Sequence, residues 1–113
     1  MDWQAEIDNE FKKAEQARAL KNEGQARVCA RRAAGIAIRE YLTRQGVRPP
    51  STSAYDLLNL LKSDPRLSPD LQLIAEHLTL RVTEEFKLPV NADLIAEART
   101  FCEELLRTNE NRP

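Results

Sequence analysis

One helical stretch governs the architecture of this chain: Ala26-Arg-Val-Cys-Ala-Arg-Arg-Ala-Ala-Gly-Ile-Ala-Ile-Arg-Glu-Tyr-Leu42. At 3.6 residues per turn, its apolar positions form a broad side of mostly small residues and an opposite side with Val28, Ile38 and Leu42. A helix that is apolar on two sides must be covered on both. Small side chains let neighbouring helices approach closely, and Gly35 is tolerated in a helix interior where packing compensates for it. We therefore predict the central helix of a bundle.

The segment before the central helix has the pattern of an amphipathic helix. Asp2 can cap its N-terminus, and Trp3, Ile7 and Phe11 recur at helical spacing with charged residues between them. The turn that follows contains Asn22-Glu-Gly24, where Gly24 can supply the left-handed conformation that ends a helix. The two helices are predicted to form an antiparallel hairpin.

Three more helices are predicted after the central one. Gly46 ends the central helix, and residues 47–53 form an extended connector because they contain two prolines. A short helix over residues 54–62 follows, with Ser53 or Thr52 as its N-cap. A fourth helix begins at the Ser68 N-cap and runs to about residue 86, and Asn91 caps a fifth. The predicted fold is all-α, a four-to-five-helix up-and-down bundle, with one domain over residues 1–107 and a frayed C-terminal tail over 108–113.

Composition limits the possible functions. The 113 residues carry 17 basic and 18 acidic side chains, so a net charge of −1 gives no overall attraction to nucleic acid or to an anionic membrane. The chain has no apolar run long enough to cross a membrane and no signal-peptide pattern, and we expect a cytoplasmic protein. Cys29 and Cys102 fall on apolar helix faces without further ligands at metal-binding spacing. No metal and no cofactor is expected.

Charged residues of the central helix are the first candidate site. Glu40 falls within its apolar side, where a carboxylate needs a partner. Arg44, one turn later, is the preferred partner, with Arg81 and Arg99 as tertiary alternatives. The less apolar side carries four arginines that we expect to pair with glutamates, although a cluster of this kind can also bind phosphates. These are Arg27, Arg31, Arg32 and Arg39.

The fourth helix is the second candidate site. It has a main apolar face, and Leu73 and Leu80 stand nearly opposite that face, with His77 beside them. A second apolar side in so short a chain indicates either another central helix or a subunit interface. We predict a homodimer with Leu73, His77 and Leu80 at the seam.

Several of these features together resemble the HEPN family of small helical bundles. They are the hairpin with Asn22-Glu-Gly24 at its turn, the alanine-rich second helix, Gly46, the double proline and the segment Ser53-Ala-Tyr-Asp-Leu-Leu58. The resemblance covers roughly residues 11–106. It implies a four-to-five-helix bundle that often forms homodimers and is frequently encoded with a nucleotidyltransferase partner.

The resemblance also indicates where a catalytic site would lie. Active members are metal-independent ribonucleases that use an arginine, a polar residue and a histidine a few positions later. The comparable segment here is Leu80-Arg-Val-Thr-Glu-Glu-Phe86, in which Arg81 matches the arginine and Val82 replaces the polar residue. No histidine follows, because His77 precedes Arg81 by four residues.

The leading hypothesis is accordingly a non-catalytic HEPN-like interaction module. It would form a homodimer and bind a protein partner such as a nucleotidyltransferase, or bind a nucleotide or RNA weakly. The rival hypothesis is an enzyme: a divergent HEPN ribonuclease, the toxin of a toxin–antitoxin pair, with Arg81 and His77 in its site. A structural subunit of a larger assembly is the third alternative.

Overall fold

The computed structural model describes residues 2–80 and 92–110, with side chains as far as residue 107. In these ranges the chain forms five α-helices and no strand, which confirms the predicted all-α class. The helices are α1 (Trp3–Ala19), α2 (Glu23–Arg44), α3 (Ala54–Leu61), α4 (Pro69–Leu78) and α5 (Leu94–Glu110). The end of α5 includes the first three residues of the predicted frayed tail. Asn91 lies outside the described residues, but the prediction that it caps the fifth helix is wrong. The helix α5 begins at Leu94, and the side chain of Asp93 caps it by accepting a hydrogen bond from the Ala96 N–H at 3.2 Å.

The helix α2 is central, as predicted, and contacts each of the other four helices. Its alanines are fully buried, and they let the neighbouring backbones approach closely. At Gly35 the approach is extreme: a Cβ atom added there would lie 2.7 Å from the Cβ of Ala54 in α3. The fully buried alanines of α2 are Ala26, Ala30, Ala33, Ala34 and Ala37.

The turn between α1 and α2 differs from the prediction for Gly24. The left-handed residue is Lys21, with φ 62°, and Gly24 lies inside the first turn of α2. The Asn22 side chain accepts a hydrogen bond from the Gln25 N–H at 3.1 Å, so α2 already begins at Glu23. The N–H of Asn22 in turn donates to the Ala17 carbonyl, which ends α1 in a Schellman arrangement.

The predicted helix signals at the other junctions are confirmed. Gly46 has φ 76° and ends α2, and the N–H of Val47 donates back to the Leu42 carbonyl. Ser53 caps α3 and Ser68 caps α4 through their hydroxyl groups. These caps fix where the two short helices begin.

The end of α4 corrects the prediction that this helix reaches residue 86. The helix ends at Leu78, with Thr79 as its C-cap, and Leu80 follows outside it. The Thr79 hydroxyl donates to carbonyl oxygens of the last turn, those of Ala75 and Glu76. The Leu78 carbonyl is bound from another helix by Arg31. These contacts satisfy the last carbonyls of α4 without another helical turn.

Candidate functional site

His77 lies near the end of α4 and contacts α5. Its Nδ1 is 2.8 Å from Oε1 of Glu97, and both side chains are largely buried. A carboxylate at this distance fixes the orientation of the imidazole ring. The sequence could not indicate this pair, because the two residues are 20 positions apart on different helices. Arg81, the other residue of the hypothetical ribonuclease site, lies outside the described residues.

The two leucines predicted for the interface have different surroundings. Leu73 lies on α4 with half of its surface exposed. Leu80 lies beyond the helix end and is half-buried. The helical face that was expected to join Leu73 to Leu80 therefore does not form. On α3, which packs against α4, Leu60 is 48% exposed.

A shallow groove adjoins Leu73. It has a volume of about 410 Å³ and lies where the loop after α3 meets the first turns of α4. Its rim carries one cation, Lys62, and one anion, Glu76, and neither has an ion-pair partner among the described residues. The groove therefore combines an exposed apolar side chain with two charges of opposite sign.

Glu40 contacts Arg44, the preferred partner inferred from the helical spacing. The Arg44 Nε donates to Oε2 of Glu40 at 2.7 Å, and each side chain is 22% exposed. Arg44 also donates from Nη1 to the Leu106 carbonyl and lies 5.2 Å from the centre of the Trp3 ring. The pair thus joins α1, α2 and α5, and its contacts are those of a structural ion pair.

The four arginines on the less apolar side of α2 do not pair with glutamates, contrary to expectation. Within the described residues no ion pair involves any of them. Arg31 instead donates from Nε to the Leu78 carbonyl at 2.7 Å. Burial lowers the pKa of Arg31, and the charge of Arg27 lowers it further. Arg31 is thus a half-buried cation that has a second cation nearby and no ion-pair partner among the described residues.

A cleft with a volume of about 590 Å³ lies between α2, α4 and α5. Tyr41 and Leu105 form part of its apolar wall, and Asp70 and Glu104 lie at its edge. Arg66 also lines it, but this side chain is bound to Asp64 by two hydrogen bonds. Among the described residues that line the cleft there is no histidine or cysteine.

Two further properties concern the described part of the chain as a whole. No group of three or more histidine, cysteine or acidic side chains there is arranged to hold a metal ion. None of the helices found in residues 2–80 and 92–110 is both long and apolar enough to cross a lipid bilayer. Cys29 and Cys102 are free and buried, as predicted for core residues.

Comparison with protein-family models, with curated proteins and with solved structures finds no match to this chain. Function must therefore be argued from the residues themselves. The surfaces that stand out are the exposed leucines of α3 and α4, the His77–Glu97 pair, and the arginines of α2.

Proposed function

We propose that this chain is a non-catalytic helical interaction module that forms a homodimer through the surface of α3 and α4. The observation that carries the proposal is the half-exposed Leu73, with Leu60 on the adjoining helix. Burying two such side chains from each copy removes apolar surface from water, which is the main driving force of association. The groove beside Leu73 gives an incoming side chain a place to pack.

The charges at this surface favour a second copy of the same chain. In a two-fold symmetric dimer the same patch meets itself, so each contact occurs twice. Lys62 of one copy then faces Glu76 of the other, and the reverse, which makes the patch self-complementary. This arrangement replaces the predicted seam of Leu73, His77 and Leu80, because Leu80 is outside α4 and His77 binds Glu97.

The resemblance of the sequence to the HEPN family suggests a protein partner for the module. Members of that family often form homodimers, and a nucleotidyltransferase is the protein partner we propose by analogy. The proposed location is the cytoplasm, where thiols such as Cys29 and Cys102 stay reduced. The free, buried state of both cysteines supports this location.

The dimer is tested first by native mass in solution. Light scattering on the wild type is expected to give twice the 12.9 kDa of one chain. A Leu73→Glu variant is expected to be a folded monomer, because a buried carboxylate at the seam lacks a partner. Leu20→Glu is the matched control: Leu20 is 81% exposed at the end of α1, and the dimer should persist. A wild-type monomer, or a dimeric Leu73→Glu variant, would contradict the proposal.

Charge exchange tests the arrangement of the two copies. Lys62→Glu and Glu76→Lys each place like charges opposite one another and should weaken the dimer. The double variant restores opposite charges and should recover the wild-type dissociation constant. Equal weakening in all three variants would reject the proposed pairing.

The second candidate function is a metal-independent ribonuclease. The observation in its favour is the His77–Glu97 contact, because an oriented imidazole is the group that general acid–base catalysis uses near neutral pH. The wild type is incubated with labelled single-stranded RNA beside a His77→Gln variant of equal purity. Intact RNA supports the interaction module. Cleavage that is lost in His77→Gln would make the chain an enzyme and the leading proposal wrong.

A further inference from the structure

Arg27 and Arg31 form a pair of cations on the surface of α2. The two residues are one helical turn apart, so their side chains leave the same face of the helix. Both are half-buried, and the Nε of Arg31 is fixed by its hydrogen bond to the Leu78 carbonyl. The terminal Nη nitrogens of Arg31 form no hydrogen bond to any described residue. The guanidinium is therefore held in place with its outer donors unused.

Arg27 and Arg31 lie in an environment that disfavours their positive charges when no ligand is bound. Burial lowers the pKa of Arg31, and repulsion from Arg27 lowers it further, while the Tyr55 side chain acts in the opposite direction. No described carboxylate forms an ion pair with either arginine. Elsewhere Arg18, Arg44 and Arg66 each bind an acidic side chain. Among the described residues, Arg27 and Arg31 therefore lack the carboxylate partner that these other arginines have.

The side chain of Tyr55, which belongs to α3, lies near Arg31. The contact between Gly35 and Ala54 brings the start of α3 against α2, one turn beyond Arg31. Tyr55 follows Ala54 directly, is 38% exposed, and lies within electrostatic range of Arg31. The pair is thus bordered by a partly exposed tyrosine, whose ring can contact a ligand.

We propose that Arg27 and Arg31, beside Tyr55, bind the phosphate group of a small phosphorylated molecule. Guanidinium groups bind phosphate oxygens by charge-assisted and often paired hydrogen bonds, for which Arg31 is already positioned. A phosphomonoester carries close to two negative charges, which matches the two cations. A nucleic acid backbone would require a longer row of cations and further aromatic side chains for its bases. The site is formed by α2 and the start of α3, and it shares no residue with the groove beside Leu73.

A purely structural role for Arg31 makes a different prediction. The cation at the C-terminal end of α4 interacts favourably with the helix dipole, and this contact involves the Nε atom alone. Arg27 forms no hydrogen bond with α4. If the structural contact were the whole explanation, replacing Arg27 would leave phosphate binding unchanged. Arg27 therefore distinguishes the two roles.

The test is calorimetric titration of the full chain with pyrophosphate at low ionic strength. The wild type is expected to show one saturable site per chain. Arg27→Gln is expected to weaken binding by about tenfold or more, the usual effect of losing one charged hydrogen bond. Arg39→Gln is the matched control, because Arg39 is equally half-buried on α2 and lies about 12 Å along the helix axis from Arg31. Its affinity should stay within about twofold of the wild type.

Two additional variants, Arg31→Gln and Arg27→Lys, extend the test to the second arginine and to the role of the guanidinium group. Arg31→Gln should also weaken pyrophosphate binding, and if that variant fails to fold, Arg27→Gln and Arg27→Lys carry the test. Arg27→Lys retains the charge and loses the fork of donors, so its affinity should lie between those of wild type and Arg27→Gln. No saturable binding by the wild type would overturn the proposal, and so would equal weakening by Arg27→Gln and Arg39→Gln.

A second titration identifies the source of the phosphate. A short RNA without terminal phosphate offers only phosphodiesters and should bind more weakly than pyrophosphate. Tighter binding of this RNA, with equal losses in Arg27→Gln and Arg39→Gln, would show a broad polyanion surface and overturn the small-molecule site. The Leu73→Glu monomer should bind pyrophosphate as the wild type does, so the site and the dimer can fail independently.

Discussion

At the scale of single residues, Cys102 shows how strongly burial changes the chemistry of a side chain. Its thiol is only 5% exposed and donates to the Ala33 carbonyl at a sulfur–oxygen distance of 3.6 Å. Burial raises the pKa of Cys102 to about 12. Because the thiolate is the reactive form, this thiol is chemically inert near neutral pH.

We predict that the native protein reacts very slowly with a thiol reagent such as dithionitrobenzoate at pH 8. Cys29, which is 1% exposed, is protected by burial, and Cys102 by both burial and its raised pKa. Unfolding in guanidinium should release two reactive thiols per chain. A Leu20→Cys variant supplies the control, because its added thiol is at an exposed position and should react at once. Native modification of Cys102 at that same rate would contradict the prediction.

How much of a site the sequence can predict depends on how far apart its residues are. Glu40 and Arg44 are four positions apart in one helix, so helical geometry alone brings them together. His77 and Glu97 meet only because α4 packs on α5, and no local pattern encodes that contact. The Arg31 contact with the Leu78 carbonyl spans 47 positions and depends on the point at which α4 ends. The spacing of residues within one helix does not predict such contacts between helices.

At the scale of helices, the crossing of α2 and α3 depends on the missing side chain of Gly35. We predict that Gly35→Ala destabilises the protein even though alanine is the better helix former. Helix propensity alone would stabilise by about 1 kcal/mol. The added Cβ would meet the Ala54 Cβ at 2.7 Å, and such overpacking costs about 1–3 kcal/mol. The net expectation is a loss of about 1 kcal/mol in urea unfolding.

Gly24→Ala is the matched control for this experiment. Gly24 also lies in α2, but an added Cβ there would come no closer than 3.8 Å to its neighbours. This variant should be as stable as the wild type or slightly more stable. A Gly35→Ala variant that gains as much stability as Gly24→Ala would contradict the prediction. It would show that α2 and α3 can move apart without lowering the free energy of unfolding.

The ends of helices were harder to predict than their centres. The apolar spacing of the sequence continues past Leu78 to Val82, so periodicity alone predicts a longer α4. The helix ends where Thr79 and Arg31 bind its last carbonyl groups, and one of these residues comes from another helix. Lys21 shows the same limitation, because a lysine adopts the left-handed conformation that the sequence pattern assigned to Gly24. In both places contacts outweighed residue propensity.

At the scale of the whole molecule, Arg18 connects three helices. Its guanidinium binds both carboxylate oxygens of Glu23 at the start of α2 and donates to Asp93 before α5. The hydrogen bond from Arg18, together with the backbone N–H of Ala96, holds the pKa of Asp93 below its usual value. The fold therefore favours the charged form of this carboxyl group.

We predict a corresponding loss of stability in acid. A carboxyl group whose pKa is lower in the folded chain stabilises that chain above the unfolded pKa of about 3.9. This contribution is lost as the pH falls through the lower folded pKa. Asp93→Asn keeps an N-cap side chain but cannot be ionised, so its urea midpoint should fall less than that of the wild type between pH 6 and pH 2.5. The pKa of Asp64 is also lowered, by its hydrogen bonds with Arg66. The stability of the Asp93→Asn variant should therefore still decrease somewhat as the pH falls. Identical pH dependence in both proteins would contradict the role of Asp93.

The central position of α2 has a consequence for how the molecule opens. Because α2 touches all four other helices, no part of its buried face can reach water while those neighbours stay in place. Its innermost amide protons exchange with solvent only when the whole bundle unfolds, so they report the global free energy of unfolding. By contrast, α3 has eight residues and, among the described helices, contacts α2 and α4. It is the shortest of the described helices, and we expect it to open locally at a lower free energy than α2.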